Sequence, residues 1–111
     1  MKAGFQNASE YAKATGLLFD AYVYIDQAKK ETDPEKKAKF YIMSEKVLET
    51  SASHYEKAEH PEKCKQVLRL LEEIKKEKEF ALSLAEVLRT PLIISTTSFP
   101  VPSPTIEKPV G

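Results

Sequence analysis

A single cysteine, Cys64, occurs in the chain, so no disulfide can close within it. That absence points to a reducing, cytoplasmic setting. Glycine is almost as scarce, with three in 111 residues, and no glycine-rich loop of the kind that cradles a phosphate is present. An excess of either charge is missing too: 17 Lys and Arg stand against 17 Asp and Glu. Without a basic surplus nothing neutralises a row of phosphates, which argues against a nucleic-acid partner. The greasiest stretch, "LLFDAYVYI" at 17–25, falls far short of the ~20 apolar residues that span a bilayer, so membrane insertion is not expected. The N-terminus, "MKAGFQNASEYAK", has no apolar stretch before a cleavage site and does not read as a signal peptide. Asn7-Ala8-Ser9 fits the glycosylation acceptor pattern, but no secretion signal accompanies it.

What the chain does contain is helix-forming sequence. Charged residues make up 31% and hydrophobic ones 41%, a composition that folds and is too apolar for disorder. Lys and Glu dominate the charges while Asn and Gln are few, a thermophile-like balance. The first helix is expected over about 7–31, with Asn7 or Ser9 as its cap. The second should begin at Asp33-Pro34, Asp capping and Pro at the first helical position, and run to about Glu59. The third should begin at His60-Pro61 and end near Arg89, because Thr90 precedes Pro91 and is pushed out of helical geometry. "DPEKKAKFYIMSEKVLE" and "HPEKCKQVLRLLEEIKK" look alike, and their prolines lie 27 residues apart. This is an internal repeat of one helix and one tight turn. Short turns force an up-down-up arrangement of three long antiparallel helices.

The seams follow from spacing. Tyr41, Leu48, Ala52 and Tyr55 share one face of the second helix, with Met43, Val47 and Ala58 beside them. Cys64, Val67, Leu71, Ile74, Ala81, Ala85 and Leu88 run down the third at heptad-like intervals, which suits shallow packing at about 20°. Antiparallel pairing puts Leu18 level with Leu48, with Ile74 completing the layer. Lys78 falls on this seam. Either its stem snorkels past the bundle, or another chain supplies it a carboxylate.

On the first helix Asp20 belongs to a solvent stripe with Ser9, Lys13, Gly16, Gln27 and Glu31. Opposite stand Tyr11, Leu18, Tyr22 and Ile25. Ala14, Leu17, Ala21 and Ala28 flank them on one side, and Ala12, Phe19 and Val23 on the other. This apolar arc covers roughly two thirds of the helix, wider than two bundle neighbours can cover. Each large side chain left outside forgoes ~1.5–3 kcal/mol of burial. Such a patch marks an interface, with Leu17, Phe19, Val23 and Tyr24 as its residues on this helix.

From Pro91 the composition changes. "PLIISTTSFPVPSPTIEKPVG" holds five of the seven prolines and two charges. It reads as an extended proline-rich tail or linker at 91–111, following a bundle at 1–90, in a chain that looks cut from a longer one. Leu92, Ile93, Ile94 and Phe99 lie in a β-branched, apolar segment that needs cover, so they join the expected interface.

Catalytic chemistry is thinly supported. His54, His60 and Cys64 invite a metal reading, yet structural zinc sites pair Cys or His tightly in short loops. Cys64 sits in a helix's first turn, where a thiol pKa can fall, but no base and no oxyanion site accompany it. Acids alternate with lysines as i, i+4 surface pairs. The five tyrosines fit core positions with hydroxyls at the rim. No cofactor, no metal and no enzymatic activity are expected.

"AYVYIDQAKKETDP" offers Ala21, Ile25, Ala28 and Pro34, and "SASHYEKAEHP" offers Ser51, Tyr55, Ala58 and Pro61. Over positions 21–61 this resembles tetratricopeptide-type helical hairpins, whose second helix carries a small residue, a large one, Ala and then Pro. The period is 27 where that family's is 34, and the family's first-helix pattern is absent. The resemblance implies a scaffold that binds other proteins. The long three-helix form is also similar to microtubule-interacting-and-trafficking-type bundles, without a specific motif. The expected fold is all-α. The expected function is a non-catalytic interaction or assembly module, self-associating through helix one. The alternatives are a regulatory peptide- or helix-binding domain and, third, a metal-binding or enzymatic bundle.

Overall fold

The computed structural model describes the backbone of residues 2–90 and the side chains of 7–90. Three helices follow one another: α1 (Lys2–Lys30), α2 (Pro34–Lys57) and α3 (Pro61–Arg89). They form an all-α, up-down-up bundle with α2 in the middle, packed on α1 along one side and on α3 along the other.

The turns show why the helices stop where they do. Asp33 caps α2 as expected: its carboxylate accepts from the Lys36 amide at 3.2 Å, and Pro34 sits at the first helical position. At the other end of α2, Glu59 adopts φ 61°. The Glu59 amide donates to the Glu56 carbonyl and the His60 amide to the Tyr55 carbonyl. This is the two-bond cap in which a left-handed residue closes the helix, a place where glycine is the usual choice. Pro61 then opens α3, and Thr90, extended at ψ 125°, ends it. The start of α1 departs from expectation. The helix begins at Lys2, so Asn7 and Ser9 lie inside it and cap nothing. The Asn7 side chain instead donates to the Glu59 carboxylate at 3.2 Å, tying α1 to the α2–α3 turn.

The two seams differ in character. Between α1 and α2 the facing residues recur every seven positions, and all but one are small: Ala14, Ala21 and Ala28 opposite Ser51, Ser44 and the longer Lys37. Two contacts fix this register. The Ser51 hydroxyl donates to the Ala14 carbonyl at 2.8 Å, and the Lys37 ammonium donates to the Ala28 carbonyl at 2.7 Å. The three alanines and both serines are 0% exposed. Small side chains let the backbones approach closely enough for such side-chain-to-carbonyl bonds. Both buried hydroxyls are satisfied, since Ser44 donates to the Tyr41 carbonyl at 2.7 Å.

Between α2 and α3 the seam is bulkier. The Glu45–Lys78 pair sets its register. That register lines up Ala38 with Ala85, Tyr41 with Ala81, Leu48 with Ile74, Ala52 with Leu71 and Tyr55 with Val67. All ten of these are buried. Leu18 packs against the common core that holds both Leu48 and Ile74. The α3 residues lining the same hollow as Leu18 are Val67 and Leu70, so α1 meets α3 about one turn earlier than a flat layer would require.

Three expected core positions prove exposed: Tyr22 at 49%, Met43 at 42% and Leu88 at 66%. Tyr22 and Met43 are turned away because α1 and α2 meet through their small residues, which rotates both helices. Leu88 lies level with Pro34, where α2 begins, so little of α2 remains to cover it.

Candidate interaction surface

The described side chains leave ten large hydrophobic residues exposed; Met43 and Leu68 stand apart, and the other eight fall in two groups. On α1, Phe19 is 64% and Val23 55% exposed, with Tyr22 beside them. Leu17 and Tyr24, expected at the same interface, are half-buried on the opposite flank, so the structure does not bring these four residues onto one patch. Their separation is set by the 100° step of the helix, and the rotation that turns the small flank of α1 toward α2 decides which of them are covered. Leu92, Ile93, Ile94 and Phe99 lie outside the described residues. The second group was not expected at a surface: Phe80, Leu82, Leu84 and Val87, with Leu88 from the expected seam, are all exposed on the last three turns of α3. Their signal was the crowding of apolar residues after Glu79, beyond what one seam can use.

Between α1 and α3 lies a hollow of about 160 Å³ lined by Leu18, Tyr22, Lys63, Gln66, Val67 and Leu70. Tyr11 borders a separate hollow with Asn7, Ala8 and His60. Its ring meets Tyr55 edge-on at 5.3 Å and lies 4.6 Å from the His60 ring. Tyr55 is 1% exposed, and its hydroxyl bonds to the Thr15 hydroxyl at 2.8 Å, so this tyrosine serves the core with its polar tip satisfied.

The residues that invited a metal reading are engaged separately. His54 joins Glu10 across the α1–α2 seam through Nδ1. That hydrogen bond holds the Glu10 carboxyl below its ordinary value, against a smaller opposing effect of desolvation; the charges of His54, Lys13 and Lys57 help. His60 lies against the Tyr11 ring at an interplanar angle of 57°. Cys64 is half-buried and borders a hollow of about 410 Å³ with Glu56, Glu59, Pro61, Lys65 and Leu68. No group of three or more metal-ligating side chains converges among the described residues.

Lys78 finds its carboxylate within the chain. Its Nζ lies 3.1 Å from both Glu45 oxygens, with the two side chains 19% and 13% exposed. The hydrogen bond runs to Oε1, and Oε2 has the ammonium beside it but no aligned donor. This replaces both expectations for Lys78, since its charged end neither snorkels free nor awaits another chain. Tyr41 is 3% exposed. Burial raises its phenol above the usual 10.0, and the Glu77 carboxylate adds to the rise.

No described helix is long and apolar enough to cross a membrane. No protein-family model, curated protein or solved structure matches the chain.

Proposed function

We propose that the chain is a non-catalytic protein–protein interaction module that assembles with itself through helix α1. The observation that carries this reading is the exposure of Phe19 and Val23, 64% and 55%, on a helix already packed along its other side. Isolated apolar residues on a surface are ordinary. Here Tyr22, Phe19 and Val23 are neighbours on one face of α1, apart from the second group on α3. Contiguous apolar surface of this kind is what interfaces bury. The module reads as tetratricopeptide-like in its use of a small residue, a large one and Ala before a proline turn, and the lone half-buried cysteine fits a cytoplasmic, reducing setting.

The mass of the full chain by sedimentation equilibrium, across a range of concentrations, tests this. A dimer or tetramer that dissociates on dilution is the expected result. A monomer throughout would refute self-assembly. It would leave the second reading, a regulatory domain whose hollow between α1 and α3 takes a foreign peptide or helix. That reading draws on the hollow beside Leu18 and Val67.

A further inference from the structure

Gly16 is not required by any close approach within the fold. It lies in the middle of α1, exposed, and a Cβ added there would meet nothing within 4 Å. Glycine inside a helix weakens it relative to alanine, so its placement runs against the stability of an isolated chain. Its neighbours on the same face are Ala12, Phe19 and Val23, spaced by four, three and four residues, as in the contact stripe of a coiled coil. All four residues are exposed. Lys13 and Asp20 stand together on one side of this stripe. Among the described residues neither forms an ion pair within the chain.

These residues are complementary to a second copy of themselves. If two α1 helices lie antiparallel about a two-fold axis between Leu17 and Leu18, position 19 faces position 16 and position 23 faces position 12. Each large side chain then meets a small one, the alternation that lets facing helices interdigitate. In the same register Lys13 falls beside position 20 of the other copy. The two-fold axis makes two opposite-charge pairs and brings no lysine next to a lysine. A parallel pairing would instead set Phe19 against Phe19 and leave the glycines facing each other.

Resting on the self-assembly reading, we infer that the chain forms a two-fold dimer through antiparallel α1 helices, with Phe19 seated on the partner's Gly16, Val23 on the partner's Ala12, and Lys13 paired with the partner's Asp20. The interface is isologous. Its glycine is there because a partner's ring needs the space, and Asp20 serves as an interface charge at the edge of an apolar face.

Sedimentation of the full chain and four variants tests the geometry, with circular dichroism showing in each case that the helices are intact. Phe19→Asp and Gly16→Leu should leave folded monomers, because Phe19 is mostly exposed and a Cβ at position 16 opens into free space. Lys13→Asp and Asp20→Lys should each weaken the dimer about tenfold, as opposite charges become like ones. Mixing those two variants in equal amounts should restore association to near the original strength, because each copy then carries what the other lacks. A wild-type dimer indifferent to Gly16→Leu and Phe19→Asp would overturn this interface and leave self-assembly standing, through α3 or the 91–111 segment. A dimer that both substitutions break, with no recovery on mixing, would overturn the antiparallel register. A wild-type monomer at up to about 100 μM, where even weak association would show, would overturn the parent reading, leaving a foreign protein or residues 91–111 to cover α1.

Discussion

Glu45 and Lys78 form one charged layer in a seam whose other layers are apolar, and replacing them separately and together measures what that layer does. The carboxylate and ammonium lie 3.1 Å apart with side chains 13% and 19% exposed. Removing one partner of a fully buried pair costs about 3–5 kcal/mol, because the other charge is left without compensation. Here the remaining exposure lets a stranded ammonium or carboxylate reach water, so about 1–2 kcal/mol is expected for Glu45→Met or Lys78→Met alone. The double replacement strands nothing. It puts two flexible apolar chains between the Tyr41–Ala81 and Leu48–Ile74 layers, and should be neutral or more stable by about 1 kcal/mol. The two single costs therefore should not add. Urea unfolding followed by circular dichroism is the suitable assay, since the chain has no tryptophan to report by fluorescence. An unchanged urea dependence would confirm that the midpoint shift reflects stability. If the double variant loses as much as the sum of the singles, the two charges are not coupled and the reasoning is wrong. Slipping α3 by one heptad would place Lys78 against Ala38 or Ala52 and Glu45 against Leu71 or Ala85. The double variant should thus gain stability while losing the penalty against that slip.

Four further outcomes follow from particular residues. Glu59→Gly should stabilise the fold by about 0.5–1 kcal/mol, because the left-handed φ of 61° suits glycine; a loss of stability in thermal unfolding would mean that the contact with Asn7 outweighs the backbone effect. Ala21→Leu should destabilise by about 1–3 kcal/mol, since its methyl faces Ser44 in a seam where both are 0% exposed; unchanged urea unfolding would show that the α1–α2 contact is looser than described. Glu10, held below its ordinary 4.5 chiefly by His54, adds stability that is present above 4.5 and lost as pH falls through the lowered folded value; His54→Ala should bring the Glu10 carboxyl back toward 4.5 in an NMR titration. Tyr41, raised above 10.0 by burial and then by Glu77, favours the fold below pH 10.0 and ceases to as pH climbs through its folded value; Glu77→Gln should lower its titration in ultraviolet absorbance by less than unfolding does.

The helix boundaries were legible wherever a residue has one way to behave. Asp33-Pro34, His60-Pro61 and Thr90-Pro91 each combine a proline without an amide donor with a neighbour that it restricts, and α2 and α3 begin and end at these places. The start of α1 has no such marker. Asn7 and Ser9 are good caps only when the chain before them is not helical, and here it is. The α3 seam was legible because Val67, Leu71, Ile74, Ala81 and Ala85 are apolar and regularly spaced, and all five are buried. Leu88 continues the same spacing without the same burial, because periodicity says nothing about where the opposite helix begins.

The rotation of α1 was harder to read, and the exposed surface depends on it. Hydrophobicity favours a core centred on Leu18, Tyr22 and Ile25, the largest residues of the arc. The fold centres on Ala14, Ala21, Ile25 and Ala28 instead, because the contact with α2 rewards close backbone approach more than bulk. The matching residues on α2 are Ser44 and Ser51, which look like solvent residues in a pattern of apolar and polar letters. Each finds a carbonyl within hydrogen-bond reach, so burial costs them little. Their seven-residue spacing, in register with alanines seven apart on α1, was present in the sequence but written in letters that hydropathy ignores. Placing the small flank inward turns Phe19 and Val23 out. The outward apolar face is therefore a consequence of how tightly α1 and α2 join, and a chain that closes one seam with alanine and serine has its larger side chains left for another.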